Sequence, residues 1–188
     1  MKKIKVNEIY YSIQGESSKA GLPCIFIRLT YCNLRSTYCD TEYAFYDGKD
    51  WSIKEILDEI KQYDCDLVEV TGGEPLLQNE CINLLNDLLK NGYDVMLETG
   101  GSISINKISK KVKKIIDFKC PSSGMEHKNL WSIIDNISPR DEIKFVIGDR
   151  IDFDWALSKI KKYNIESKSS ILFSSVFEKI EYQTVVEW

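Results

Sequence analysis

The sequence predicts an α/β fold: a partial barrel of parallel β-α units, of the six-fold rather than the eight-fold kind. Short apolar runs alternate with amphipathic segments along the chain, as strands joined by crossover helices do, with right-handed connections. About six strands are legible, fewer than the eight of a closed barrel. The turns rich in glycine, acid and cysteine follow strands, which puts the chemistry at the carboxyl ends of a parallel sheet.

Ile9-Tyr10-Tyr11-Ser12-Ile13 reads as a strand that runs into a polar turn, Gln14-Gly15-Glu16-Ser17. Cys24-Ile25-Phe26-Ile27-Arg28-Leu29 is the next strand. Glu16 and Arg28 are side chains that can bind a ligand. A cysteine-bearing loop follows. Ser52 and Glu55 form a capping box, the serine accepting from the Glu55 amide and the glutamate reaching back. Ile53, Ile56, Leu57 and Ile60 then recur at helical spacing. Leu67-Val68-Glu69-Val70-Thr71 is a strand ending in Gly72-Gly73-Glu74-Pro75. A helix runs from Asn79 to Lys90, stopped by Asn91-Gly92. Strands follow over Tyr93 to Thr99, Lys114 to Lys119, Glu142 to Ile147 and Ile171 to Val176. A helix from Phe153 to Tyr163 lies before the last of them.

With 188 residues the chain suits one domain, spanning 1–188, with no linker, repeat or low-complexity stretch. It is 43% hydrophobic and 29% charged, the composition of a soluble globular protein. A net charge of −4 argues against a nucleic-acid footprint. Lys2, Lys3 and Lys5 lead into no apolar run, so the start is no signal peptide. Nothing approaches the ~20 apolar residues of a membrane span. A cytoplasmic location follows, and six cysteines there read as thiols or ligands rather than disulfides.

Cys32-Asn33-Leu34-Arg35-Ser36-Thr37-Tyr38-Cys39-Asp40-Thr41 is C-x₃-C-x₂-C with serine at the middle place. Zinc fits poorly, since there is no C-x₂-C pair and one histidine, His127. The Gly72-Gly73 turn suits close backbone approach to a ligand, and Glu74 offers an acceptor for an ammonium group. Alone that turn reads as an ordinary tight turn. Cys24, Cys65 and Cys81 read as small buried hydrophobes. Cys120 ends a strand, at the end of the sheet where the cysteine loop lies. His127 reads as a surface residue. Trp131, Ile134 and Ile137, spaced as on a helix, read as packing residues.

Taken together these motifs resemble the radical S-adenosylmethionine (SAM) superfamily, and within it the 7-carboxy-7-deazaguanine synthases of queuosine-type deazapurine biosynthesis. The resemblance rests on Ile13-Gln14-Gly15-Glu16, Phe26-Ile27-Arg28-Leu29, the cysteine loop through Asp40-Thr41 and Thr71-Gly72-Gly73-Glu74-Pro75. It continues in Glu98-Thr99-Gly100-Gly101, Asp117-Phe118-Lys119-Cys120-Pro121-Ser122-Ser123-Gly124 and Lys144-Phe145-Val146-Ile147. A glycyl-radical activase shares the cysteine loop but not Gln14-Gly15-Glu16 with Arg28.

The resemblance implies a radical SAM barrel and a lyase that converts 6-carboxy-5,6,7,8-tetrahydropterin to 7-carboxy-7-deazaguanine with loss of ammonia. It implies a 4Fe–4S cluster on Cys32 and Cys39, with Ser36 at the place of the missing cysteine, together with SAM and Mg²⁺. By position, Ile13, Gln14, Gly15, Glu16, Arg28 and Thr71 meet the substrate. Tyr38, Gly73, Glu74, Ser122 and Ser123 meet SAM, and Thr41 meets Mg²⁺. A flavodoxin or ferredoxin reductant and a homodimer are implied too, with no nucleic-acid or membrane partner. The chain departs from the pattern at Ser36, at Ser174-Ser175-Val176, where a proline is expected after the first serine, and in stopping at Val185-Val186-Glu187-Trp188, which suggests a missing last strand. The alternative is a degenerate or truncated homologue that binds SAM or pterin without turnover.

Overall fold

The structure, a computed structural model, describes residues 2–188. The described residues pack as two compact units, one built mainly from residues 2–33, 41–99 and 107–114, the other from 34–40, 100–106 and 115–188.

The first unit carries β1 (Ile4–Ile13), β2 (Pro23–Leu29), β3 (Lys49–Trp51), β4 (Leu67–Gly72) and β5 (Asp94–Thr99), with helices α1 (Ile53–Ile60) and α2 (Glu80–Lys90). β2, β4 and β5 run parallel, as the β-α alternation predicts. β1 and β3 do not. β1 pairs antiparallel with both β2 and β3. Its connection to β2 is too short for the crossover helix that a parallel neighbour requires. β1 also begins five residues before the strand legible in sequence. β3 is only three residues long and was not expected.

The alternation of side chains sorts this sheet into two faces. Ile25, Ile27, Leu29, Val68, Val70, Val95 and Leu97 are buried on one. α2 packs on β5 and on α1, and Ile56, Ile60, Leu84, Leu85 and Leu88 are buried with them. Each such aliphatic side chain contributes about 1.5–3 kcal/mol by leaving water. Both halves of the Ser52–Glu55 capping box are formed at the start of α1. The other face holds Glu8, Tyr10, Phe26, Arg28, Glu69, Thr71 and Met96, as the ladder registers show.

The second unit carries β6 (Lys113–Asp117) from Ile115 on, β7 (Glu142–Ile147) and β8 (Ser170–Ser175), all parallel, with α3 (Arg150–Tyr163) and α4 (Tyr182–Glu187). α3 starts three residues before the apolar pattern suggests, because Asp149 caps it by accepting from the Asp152 amide at 2.9 Å. No α-helix joins β5 to β6 or β6 to β7. The second connection is a series of 3₁₀ turns, and Trp131, expected on an α-helix, begins one of them. Ile133 and Ile134 are buried there, Trp131 stacks on Phe118, and His127 is exposed. Cys24, Cys81 and Cys120 are buried thiols, whereas Cys65 is only partly buried, its Sγ 3.4 Å from the Pro23 carbonyl. Among the described residues no helix is long and apolar enough to cross a membrane.

Candidate active site

In the first unit the functional side chains fall on the polar sheet face and on the loops at the carboxyl ends of β2, β4 and β5. Arg28 stands opposite Glu8 in the β1–β2 ladder and opposite Thr71 in the β2–β4 ladder. Its Nε donates to Glu8 Oε1 at 2.7 Å and its Nη2 to the Tyr10 hydroxyl at 3.0 Å. The Tyr43 hydroxyl donates to the same Glu8 oxygen at 3.0 Å, and the Tyr10 and Tyr43 rings lie within 6 Å of the guanidinium carbon. The charge is thus partly screened before any ligand arrives, and the Nη1 group carries none of these bonds. Thr71 Oγ1 donates to Glu98 Oε2 at 2.9 Å.

The turn after β1 is asymmetric. Ile13, Gly15 and Glu16 are exposed, while Gln14 between them is buried. The Gln14 amide donates to the Leu22 carbonyl and its carbonyl accepts from the Gly21 amide, both at 2.8 Å.

The two glycines after β4 serve the protein's own packing. Gly72 has φ +150°, and a Cβ there would strike the Leu29 backbone. A Cβ on Gly73 would lie 2.7 Å from Cys32 Cβ, so only glycine lets this turn seat against the first cysteine. The Glu74 amide donates to the Tyr31 carbonyl at 2.7 Å, tying the same two loops together. Glu74 is fully buried. Its carboxylate accepts from Thr99 Oγ1 at 2.9 Å and from the Leu76 amide at 3.1 Å. It therefore anchors three loops as well as offering acceptor oxygens. Thr41 begins the 3₁₀ turn Glu42–Phe45 without capping it by its side chain.

In the second unit the segment Leu34–Asp40 docks on the turn after β6. The Thr37 amide donates to the Ser123 carbonyl at 3.1 Å and its hydroxyl to the Ser122 carbonyl at 2.8 Å. The Cys39 amide donates to the Ser36 carbonyl at 3.2 Å, closing the turn that holds both residues. Ser122 and Ser123 have protein partners already. The Ser122 hydroxyl donates to Asp152, a wholly buried carboxylate that also accepts from the Ser122 amide at 2.9 Å and the Gly148 amide at 2.8 Å. The Ser123 hydroxyl donates to the Cys120 carbonyl at 2.6 Å. Burial, then the charge of Asp117, pushes the Tyr38 phenol up from its usual range. Burial likewise pushes the Cys120 thiol up, with Asp152 and Asp117 adding to it. A thiol held protonated is a poor iron ligand, which weighs against Cys120 as a substitute. Lys119 Nζ lies 2.7 Å from Asp117 Oδ2 in a largely buried pair.

Motif reading does not single out Glu8, Glu69, Tyr43 or Asp152. The signal for Glu69 is present, a lone acid in the apolar run Val68-Glu69-Val70. Asp152 lies in the first turn of a helix, where an acid needs no special explanation.

The Radical SAM superfamily model matches residues 26–122. A 7-carboxy-7-deazaguanine synthase of Koribacter versatilis is 45% identical over 94% of this chain and 79% of its own length. The chain belongs to the 7-carboxy-7-deazaguanine synthase family. A second member, from Chlorobaculum tepidum, is 43% identical over 98% of this chain and 86% of its own length. The crystal structure of QueE from Escherichia coli shares the fold, with a TM-score of 0.83 at 22% identity, over 98% of this chain and 88% of that one.

As a member of this family the chain is a radical SAM lyase of the queuosine pathway, and its cofactors are a 4Fe–4S cluster and SAM. Its donor set fits the cluster incompletely. Cys32 and Cys39 are partly buried thiols on loops held by backbone hydrogen bonds, but Ser36 brings a hydroxyl where a third thiolate belongs. Iron in such clusters is held by sulfur. Among the described residues no three His, Cys, Asp or Glu side chains gather as for a metal ion.

Proposed function

We propose that this chain acts on 6-carboxy-5,6,7,8-tetrahydropterin through the polar face of its first unit, in the cytoplasm and as a homodimer. The observation that carries this reading is the row Glu8–Arg28–Thr71 across three neighbouring strands. It puts a guanidinium between a carboxylate and a hydroxyl near the carboxyl ends of β2 and β4, the end at which parallel sheets commonly bind ligands. Arg28 binds the substrate carboxylate as a fork, a geometry lysine cannot supply. Thr71, oriented by Glu98, meets the ring, and the exposed Ile13, Gly15 and Glu16 present backbone and carboxylate groups to it.

Cys32 and Cys39 would hold the cluster, with Ser36 completing the loop. Gly73 and Glu74 would hold SAM, and Tyr38, Ser122 and Ser123 are further candidates for it. When bound, cluster and SAM would supply the hydrogen-abstracting chemistry that the reaction needs. Thr41 contributes a hydroxyl to Mg²⁺, which prefers few protein oxygens and keeps the rest for water and substrate. A flavodoxin or ferredoxin supplies the electron.

The test is anaerobic reconstitution with iron and sulfide, followed by SAM, dithionite and the pterin, with 7-carboxy-7-deazaguanine read by mass. Product from this chain, or from its Ser36→Cys variant, supports the reading. Binding without product in both would leave a non-catalytic pterin binder.

A further inference from the structure

Gln14 is the one buried residue in a stretch of exposed ones. Its side-chain amide is used at both ends. Nε2 donates to Glu69 Oε2 at 2.6 Å, and Oε1 accepts from the Glu16 amide at 3.1 Å. Glu69 is itself buried in the middle of β4. A buried carboxylate accepts and cannot donate, so it dictates which end of the Gln14 amide faces it. The carbonyl is thereby turned toward the Glu16 amide. A charged acceptor makes the bond shorter and stronger than one between neutral groups. With the Gln14 backbone held by Leu22 and Gly21, the residue has its main bonding groups committed inside the protein.

We infer that Glu69 is a positioning residue for the substrate turn. Its carboxylate fixes the Gln14 side chain, and through it the Glu16 amide, so that Gly15 and Glu16 are held ready for a ligand. On this account Gln14 is a brace, and the contacts with the pterin come from the exposed residues on either side of it. The inference rests on the substrate reading above only for its last step. The brace itself is a property of the ligand-free chain.

The test uses the full chain and two readouts. Hydrogen exchange at the Glu16 amide needs no ligand. Glu69→Ala leaves the Gln14 amide facing an empty place, and the Glu16 amide should exchange at least tenfold faster. Pterin affinity, by calorimetry, should fall about tenfold in the same variant, while SAM affinity stays within twofold. Should Glu69→Ala fold poorly, the exchanged pair answers the question. Gln14→Glu alone sets two carboxylates against each other and should weaken binding. Adding Glu69→Gln restores a donor opposite an acceptor, and should recover most of the loss. Unchanged exchange at Glu16 in Glu69→Ala, or no recovery in the exchanged pair, overturns the brace. Faster exchange with unchanged pterin affinity overturns its role in binding. Absence of pterin binding by the unaltered chain counts against the substrate reading and leaves the exchange result standing.

Discussion

Glu8 faces Arg28 because the chain bulges at Asn7. Val6 pairs with Leu29 and Glu8 with Arg28, so two residues that would share a face of a regular strand lie on opposite ones. The bulge turns Val6 into the core and Glu8 onto the polar face, where its carboxylate meets the guanidinium at 2.7 Å. Re-aiming a side chain beside a site is a common use of a bulge. Here it gives a partly buried arginine a counter-ion that leaves room for a second anion.

Removing Arg28 should therefore weaken pterin binding. Loss of a charge-assisted partner at a buried anion costs about 2–5 kcal/mol. Arg28→Ala should bind the carboxylated pterin at least tenfold more weakly, and Arg28→Lys should not restore it. Calorimetry decides the matter, and equal affinities would remove Arg28 from the site.

The cluster loop should load incompletely. Two thiols and a hydroxyl stand where three thiolates belong, and a serine hydroxyl does not ionise near neutral pH. Ser36→Cys should raise iron and sulfide per chain after anaerobic reconstitution. Matching counts in the two proteins would show that Ser36 is no handicap.

Magnesium should act through Thr41. Added Mg²⁺ should tighten pterin binding, and Thr41→Val should abolish that gain, because a methyl replaces the hydroxyl at equal volume. An equal gain in the valine variant would place the metal elsewhere.

The Glu74 carboxylate should depend on Thr99. Thr99→Val removes a donor from a fully buried acid and should cost about 1–3 kcal/mol. Thr99→Ser should keep most of the stability. Urea unfolding of the three proteins measures both effects, and a valine variant as stable as the parent would show that the hydroxyl contributes nothing.

Cys24 should be inert in the native protein. Burial first, then the charge of Glu69, pushes its thiol up to about 12. Below pH 9 it is protonated in both folded and unfolded chains. From there to about pH 12 the unfolded chain alone releases the proton, so this stability is lost as pH rises. Iodoacetamide at pH 8 should spare Cys24 until urea is added, as peptide mapping will show. Native labelling at Cys24 would mean that β2 opens.

The family, the three parallel strands of the first unit, the capped helix α1 and the order of the motifs are all legible in the chain's residues. These depend on local chemistry. Period-two and period-3.6 patterns, capping residues and turn glycines act within a few residues of themselves, and motif order is linear. Tertiary structure alone decided what those motifs touch. The pair Gly72-Gly73 reads as a ligand turn, yet both positions need glycine because the backbone at Leu29 and Cys32 presses on them. Glu74 reads as a ligand for an ammonium group, yet its oxygens hold Thr99 and Leu76. Glu69 carries no motif at all, and only the β4 register brings it to Gln14, 55 residues away in sequence. A strand pattern says that a side chain is buried. It does not say what it is buried against, because that partner comes from a distant part of the chain whose register is set by the packing of the whole sheet.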